Sequence, residues 1–300
     1  MDYSLVIPVL RLEDNPWLPG LLASLKKQNH LPAEIHLVIG DRRQGRAINF
    51  GVSQCRSKYV GTVDDDSVID DPDLFKKILN EMQIDKTIGL AGAACELPDF
   101  ASPFQKKAMV QIERRFFPIQ KKTIDSDMVQ HPCLMIEKAL FDKIEGEDEE
   151  LIRGLDPVLR KKVRDQNKRV VVVKSTWVYH LLPDNLSKLL KMYYRNGKGS
   201  AYAQKHFPHK VLELTDGYDD GQFEEKKTFI FRVFRRLSKL FTATIQFKYI
   251  KVFTDFAYIA GVISERINAE KHVIPMVEKI DTHIEENPEF KIYYHKVLLK

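Results

Sequence analysis

Cysteine is scarce in this chain: Cys55, Cys95 and Cys133 are the three it holds, odd in number and far apart. That pattern supports neither a disulfide framework nor a zinc cluster, and it points to a reducing, cytoplasmic compartment. Long hydrophobic runs are missing too. No stretch of about eighteen residues is free of charge, so no spanning helix is expected. Asp2 and Pro8 interrupt what would have to be a basic and then apolar leader, so no secretory signal is expected either. Low-complexity tracts and internal repeats are also lacking. The net charge of +5 is mild and no nucleic-acid partner is expected; where the charge sits matters more. Residues 228–254 contain no acid, but hold Arg232, Arg235, Arg236, Lys239, Lys248 and Lys251.

What is present reads as an α/β protein. Tyr3 to Leu10 is a continuous apolar run that suits a buried parallel strand, with Pro8 near its end. Leu18, Leu21, Leu22 and Leu25 then recur with helical spacing between about Pro16 and Gln28. Strands follow at Glu34 to Ile39, Lys58 to Val63 and Ile88 to Cys95, separated by helices at Ala47 to Arg56 and Asp73 to Met82. This alternation implies a mostly parallel sheet with right-handed crossovers.

The third of those strands ends in Asp64-Asp65-Asp66. Ligands of α/β proteins gather at the carboxyl ends of strands, and three like charges there call for a cation. Carboxylate oxygens suit Mg²⁺ or Mn²⁺, which keep positions open for substrate phosphates. At the end of the preceding strand, Gly40-Asp41-Arg42-Arg43-Gln44-Gly45-Arg46 supplies three arginines and two glycines, a loop suited to phosphate. A metal-bound nucleotide diphosphate would use both.

These segments, in this order, resemble the family 2 glycosyltransferases of GT-A fold. The resemblance rests on Pro8-Val9 with Glu13 close by, Leu25-Lys26-Lys27-Gln28, Gly45-Arg46-Ala47-Ile48-Asn49, Asp64-Asp65-Asp66 and Asp71-Pro72-Asp73-Leu74. It implies a nucleotide diphosphate sugar as donor, bound by Pro8, Val9, Glu13, Asp41, Gly45, Arg46, Asp64 and Asp65. It also implies Mg²⁺ or Mn²⁺ on Asp64 and Asp66, and an inverting transfer to an acceptor hydroxyl. Leu10 and Arg11 replace the family's usual Tyr and Asn, and Gly40-Asp41 stands where paired acids usually read the base.

Inverting transfer needs a carboxylate to take the hydroxyl proton. Two candidates are Asp148, in Glu147-Asp148, and Asp156. Counting back from Val178-Tyr179-His180 to the family's Glu-Asp pair lands on Leu155-Asp156, which favours Asp156 as base. Asp156-Pro157 also suits a helix start, with Asp156 as N-cap. His131 stands before another strand and is a weaker candidate for substrate contact. His180 is a candidate third metal ligand, and Arg195 and Lys198, in a Tyr-Arg-Asn-Gly-Lys-Gly segment, are candidates for the diphosphate. The Gln-x-x-Arg-Trp motif of processive relatives is lacking, which disfavours a polymerising synthase.

The expectation is therefore a GT-A type domain over residues 1–210 and a helical, basic, amphipathic extension over 211–300. In the extension Ile230, Val233, Phe234, Leu237, Leu240 and Phe241 share one helix face, and Arg232, Arg235, Arg236 and Lys239 the opposite one. That face reads either as packed on the domain or as an interfacial helix on an anionic membrane, with a sugar or lipid-linked acceptor. Amphipathic helices are expected over the last thirty residues. The rival functions are a nucleotidyltransferase on a similar sheet and a non-catalytic membrane-associated protein on a decayed transferase fold.

Overall fold

A computed structural model describes residues 2–300 apart from 14, 113, 215–222, 225–228, 268–273 and 288. Nine strands form one sheet. In chain order they are β1 (Tyr3–Val9), β2 (Glu34–Ile39), β3 (Tyr59–Thr62), β4 (Ile88–Glu96), β5 (Ile124–Asp125), β6 (Leu134–Glu137), β7 (Arg169–Tyr179), and two more introduced below as β10 and β11. A short pair, β8 (Glu213–Leu214) and β9 (Phe223–Glu224), stands apart. The sheet is covered on both faces, as the unbroken apolar run of β1 requires. Alternate residues of a strand point to opposite faces. Leu5 and Ile7 therefore pack with α1 (Leu18–Leu25) and α3 (Leu74–Ile84), while Val6 packs with α2 (Gln44–Gln54). On that second face α6 (Leu155–Arg164) adds Leu159 and Val163 against Val170 and Val172 of β7.

In the middle of the sheet β2–β1, β1–β3 and β4–β7 are parallel, while β5 pairs antiparallel with β7. Between β3 and β4, β6 is inserted antiparallel. Its consequence for the site is geometric. With Thr62 opposite Leu134, the residues that follow β3 lie beside those that precede β6. Thr62 Oγ1 donates to the His131 carbonyl at 3.5 Å and Ser67 Oγ to the Pro132 carbonyl at 3.2 Å. Pro8 lies in β1 beyond the end of its pairing with β3, where its missing N–H costs nothing.

The remaining helices are α4 (Pro103–Gln111), α5 (Lys138–Lys143), α7 (Leu186–His206), α8 (Phe229–Ile245) and α9 (Tyr249–Ile267). A helical region is thus present beyond the sheet's main strands, but the expectation of helices over the last thirty residues is corrected. That segment forms β10 (Val277–Glu286) and β11 (Lys291–Leu299), an antiparallel pair whose β11 runs parallel to β2 and extends the sheet. The edge of β2 offers unpaired N–H and C=O groups, and Ile292 and Val297 gain burial against it. Tertiary pairing decides this segment against the expected amphipathic helices, and the run Ile292-Tyr293-Tyr294 has the composition strands prefer.

Candidate active site

The acidic turn leaves β3 at Val63 and is tied to the end of β7. Val68 and Tyr179 exchange backbone hydrogen bonds of 2.8 and 2.9 Å, which brings His180, the next residue, onto the turn. His180 Nε2 lies 3.2 Å from Asp66 Oδ1. One ligand atom from each of Asp64, Asp66 and His180 lies within 4.8 Å of the others. Gln44 Nε2, at the start of α2, donates to Asp64 Oδ1 at 3.0 Å, and Asn15 Nδ2 donates to Asp65 Oδ2 at 2.7 Å. Asn15 Oδ1 meanwhile accepts from the Trp17 and Leu18 amides, so one side chain both opens α1 and fixes Asp65.

The electrostatics are those of a site short of positive charge. Burial pushes the Asp64 carboxyl up to about 6, with His180 opposing and Asp66 adding to the rise. Burial, then Asp66 and Asp64, push Asp65 up to about 7. Burial acts upward on Asp66 too, but His180 holds it below the ordinary carboxylate range. His180 itself is raised: burial works against its charge, and Asp66 more than compensates. Two carboxylates and an imidazole at this spacing fit a divalent cation, and such a cation would favour the charged forms of Asp64 and Asp65, which burial opposes. The nitrogen donor suits Mn²⁺ better than Mg²⁺, which prefers an all-oxygen shell.

Beside this turn stands a second set of charges. His131 lies between two carboxylates: Nδ1 is 2.5 Å from Asp156 Oδ1 and Nε2 is 2.9 Å from Glu147 Oε1. Its amide also donates to Asp156 Oδ1, at 2.9 Å. Burial opposes charge on His131, but Asp156 and Glu147 together hold it well above the usual histidine range, so it is an imidazolium. Burial works upward on Asp156, yet His131, and after it Arg160, hold its carboxyl far below the ordinary range. Asp156 stays ionised although Asp64 is near enough to feel it.

Asp156 does not cap its helix as the Asp-Pro pair suggests. The N-cap is Gly154, at φ +87°, and Asp156 sits in the first turn of α6. Its carboxylate is thereby released from the helix end and turned to His131. Asp148 has a different neighbourhood. It accepts from the Glu150 and Leu151 amides and pairs with Lys210 Nζ at 2.6 Å, which holds its carboxyl below the ordinary range despite burial.

The arginine loop is committed largely to its own frame. Arg46 makes a two-pronged pair with Asp41, 2.7 Å from Nε and 2.9 Å from Nη2, and donates to the Pro275 carbonyl. Arg43 is buried and donates to the Glu150 carbonyl. A Cβ on Gly45 would overlap the Asp148 carbonyl oxygen, so this glycine permits a close backbone approach. Val9 is buried at the end of β1, and Glu13 is exposed in the turn that follows.

Positive charge reaches the acids from other elements. Phe117 pairs with Cys95 at the end of β4, which carries Arg115 alongside, and Arg115 is felt by both Asp66 and His180. Arg153 lays its stem on Gly199 of α7, one turn beyond Arg195. Burial, Arg115 and Arg195 all lower the Arg153 pKa, with Asp64 and Asp156 opposing. Arg115 and Arg153 thus reach the acidic turn from two segments, and Arg195 lies near enough to act on Arg153. Lys198 is turned to α9, 3.9 Å from Glu265.

Sequence reasoning did not assign Gln44, Asn15, Glu147 or Arg153 to the site. Asn15 carries a local signal, an Asx residue before a helix. For the others no local signal exists, because their roles arise from contacts distant in sequence.

Residues 36–145 match the profile of Glycosyl transferase family 2. No curated protein sequence matches the chain. Among solved structures, a mannosyltransferase from Pyrobaculum calidifontis, in complex with GDP-Man and Mn²⁺, superposes with a TM-score of 0.59 at 10% identity. That likeness covers 89% of this chain and 88% of that one, and it is a likeness of fold. Residues 1–349 of S. aureus TarS align over 94% of both chains at 14% identity, with a TM-score of 0.45, too low to argue from. In this profile match and in its fold the chain is similar to the family 2 glycosyltransferases of GT-A fold.

Proposed function

We propose that the chain moves a sugar from a nucleotide diphosphate sugar to an acceptor hydroxyl, with inversion, using Mn²⁺ or Mg²⁺. The observation that carries this reading is the pairing of two unlike acid sites: Asp64, Asp66 and His180 gathered within 4.8 Å, and Asp156 held ionised beside them by His131. A divalent cation on the first set would neutralise charge on the departing diphosphate. Asp65, positioned by Asn15, is suited to the donor's ribose. Arg115, Arg153 and Arg195 supply the cationic wall for the diphosphate in this reading, a task the Arg46 loop is less free to perform.

Asp156 is the base. Both hydrogen bonds from His131 end on Oδ1, so Oδ2 is the atom that takes the proton as the acceptor oxygen attacks. The acceptor is a sugar hydroxyl of a lipid-linked or cell-surface glycan, met on the cytoplasmic side of an anionic membrane. The closeness of the GT-A likeness to a Mn²⁺-bound mannosyltransferase supports the metal but leaves sugar and base unassigned.

The test is a screen of nucleotide diphosphate sugars for thermal stabilisation with and without Mn²⁺, followed by turnover assays on the donor found. Asp156→Asn is expected to keep metal-dependent donor binding and to lose about 10²- to 10⁴-fold in kcat. Asp148→Asn is expected to keep turnover. If Asp148→Asn abolishes turnover and Asp156→Asn leaves it intact, the assignment of the base is wrong.

A further inference from the structure

The amphipathic pattern of α8 leaves two possibilities, and the structure separates them. Were the helix packed on the domain by its apolar side, its phenylalanines would be covered. They are not: Phe234, Leu237, Phe241 and Ile245, which form one stripe at helical spacing, are 53% to 68% exposed. The side turned to the body is the basic one. The Arg236 guanidinium lies over the Tyr258 ring of α9, 4.2 Å from its centroid. Lys239 lines a cavity of about 410 Å³ against α4, together with Arg114, Lys248 and Lys251 and without a carboxylate. The side chains of Ile230, Arg232 and Val233 lie outside the described residues.

Helix α9 repeats the arrangement. Ile250, Thr254, Gly261 and Glu265 are buried on one side, while Phe253, Phe256, Ile263 and Ile267 on the other are 49% to 74% exposed. Two consecutive helices therefore each present a row of large apolar side chains outward, far more than scattered surface hydrophobics.

The charge around these rows selects the occupant. From residue 229 to residue 254 there is no acid, and Arg235, Arg236, Lys239, Lys248 and Lys251 accompany the α8 row and the start of the α9 row, where Lys251 pairs with Asp255 at 3.2 Å. A second copy of the chain on this face would bring like charges together across a two-fold axis, which is costly. No helix among the described residues is long and apolar enough to cross a membrane. Short amphipathic helices with aromatic residues outward and basic residues beside them suit the plane of a bilayer interface.

We propose that the α8–α9 hairpin is an interfacial anchor: its exposed phenylalanines lie among the acyl chains of an anionic bilayer, and the basic residues from Arg235 to Lys251, on the side turned to the body, set positive charge within a Debye length of the lipid phosphates. The anchor is fixed to the catalytic domain through α9. Gly197 of α7 and Gly261 of α9 let the two backbones touch, since a Cβ on either would overlap a carbonyl oxygen of the other helix. Tyr194 Oη donates to Ser264 Oγ at 2.8 Å across the same crossing. The bilayer is thereby held at a set position relative to Arg195, on α7. This deepens the acceptor part of the proposed function, and vesicle binding tests it apart from transfer.

The experiment is co-sedimentation of the full chain with vesicles of phosphatidylglycerol and phosphatidylcholine, or of phosphatidylcholine alone, alongside turnover on a water-soluble acceptor. Binding is expected on the anionic vesicles, about tenfold or more weaker on neutral ones, and weaker again when salt rises from about 0.1 M to about 1 M. Phe234→Glu/Phe241→Glu is expected to cut the partition about tenfold or more and leave soluble turnover unchanged. Phe253→Ser/Phe256→Ser gives a second, milder variant, each checked for helix content by circular dichroism. No vesicle binding by the parent chain overturns the proposal, as do folded variants that bind like the parent. A concentration-dependent dimer that the variants dissolve, without vesicle binding, would assign the face to a second copy instead.

Discussion

His131→Gln removes the one positive charge between two carboxylates. The side chains of His131 and Glu147 are 4% and 1% exposed, and that of Asp156 is 32% exposed. Breaking a buried pair from one side costs about 3–5 kcal/mol; with Asp156 partly open to solvent, the lower end, about 3 kcal/mol, is the expectation. The pH dependence has a definite sign. Asp156 is depressed in the fold, so its contribution is present above its unfolded value of about 3.9 and is lost as pH falls through its folded value. His131 is raised, so its contribution is full below its unfolded value of about 6.5 and is lost as pH rises through its folded value. Both are complete between about pH 4 and about pH 6.5, where parent and variant should differ most. Urea unfolding near pH 5.5 and near pH 9 reads this directly: about 3 kcal/mol at the lower pH and a smaller difference at the higher. In turnover, Asp156 without the imidazolium faces Asp64 with Arg160 and the residue 131 amide to hold it down, so the acidic limb of kcat/KM should move up in pH. A stability difference under about 1 kcal/mol near pH 5.5, or one that does not change with pH, would refute the reasoning and make His131 a neutral packing residue.

Other outcomes follow from single contacts. Asp66→Asn and Asp64→Asn should each abolish Mn²⁺-dependent thermal stabilisation by donor; an unchanged shift would remove the metal from this turn. Arg153→Gln and Arg195→Gln should each raise the donor KM about tenfold or more, the loss of a charge-assisted hydrogen bond, and a normal KM in both would leave the diphosphate elsewhere. Gly197→Ala should destabilise by about 1–3 kcal/mol through overpacking against the Tyr258 carbonyl, even though alanine favours helix by about 1 kcal/mol. Gly20→Ala in α1, where a Cβ would meet nothing within 4 Å, should stabilise by up to about 1 kcal/mol, and chemical denaturation of the two compares crowding with propensity on one scale.

The parts of this fold that sequence makes legible are those dictated by neighbours along the chain. The apolar run of β1, the leucine spacing of α1 and the acids at the end of β3 each announce themselves within ten residues. What resists reading is set by pairing at a distance. The composition of Ile292-Tyr293-Tyr294 is a slight local sign of a strand at residues 291–299; the open edge of β2, more than 250 residues earlier, decides it. The arginines of 42–46 look like a phosphate loop because composition cannot reveal that Arg46 closes on Asp41 and Arg43 on the Glu150 carbonyl. His131 as a lone histidine carries little weight, and it acquires meaning only because β6 inserts antiparallel and sets it beside the acidic turn.

An aspartate held so far below its ordinary range is a weak base, which at first counts against the role proposed for Asp156. The competing requirement is that it be ionised at all. Within reach of Asp64, in a turn where burial already lifts Asp64 to about 6 and Asp65 to about 7, an unsupported carboxyl would take up a proton and be useless as an acceptor of one. His131 settles that conflict in favour of ionisation, and Glu147 settles the charge on His131. The loss in basicity matters less than it first appears, because an attacking hydroxyl becomes strongly acidic only as its oxygen bonds to the anomeric carbon. A base that acts late in the transition state can be weak, provided it is charged and fixed in place. The two hydrogen bonds from His131 to Oδ1 provide both conditions, and the helix start at Gly154 rather than Asp156 is what leaves the carboxylate free to receive them.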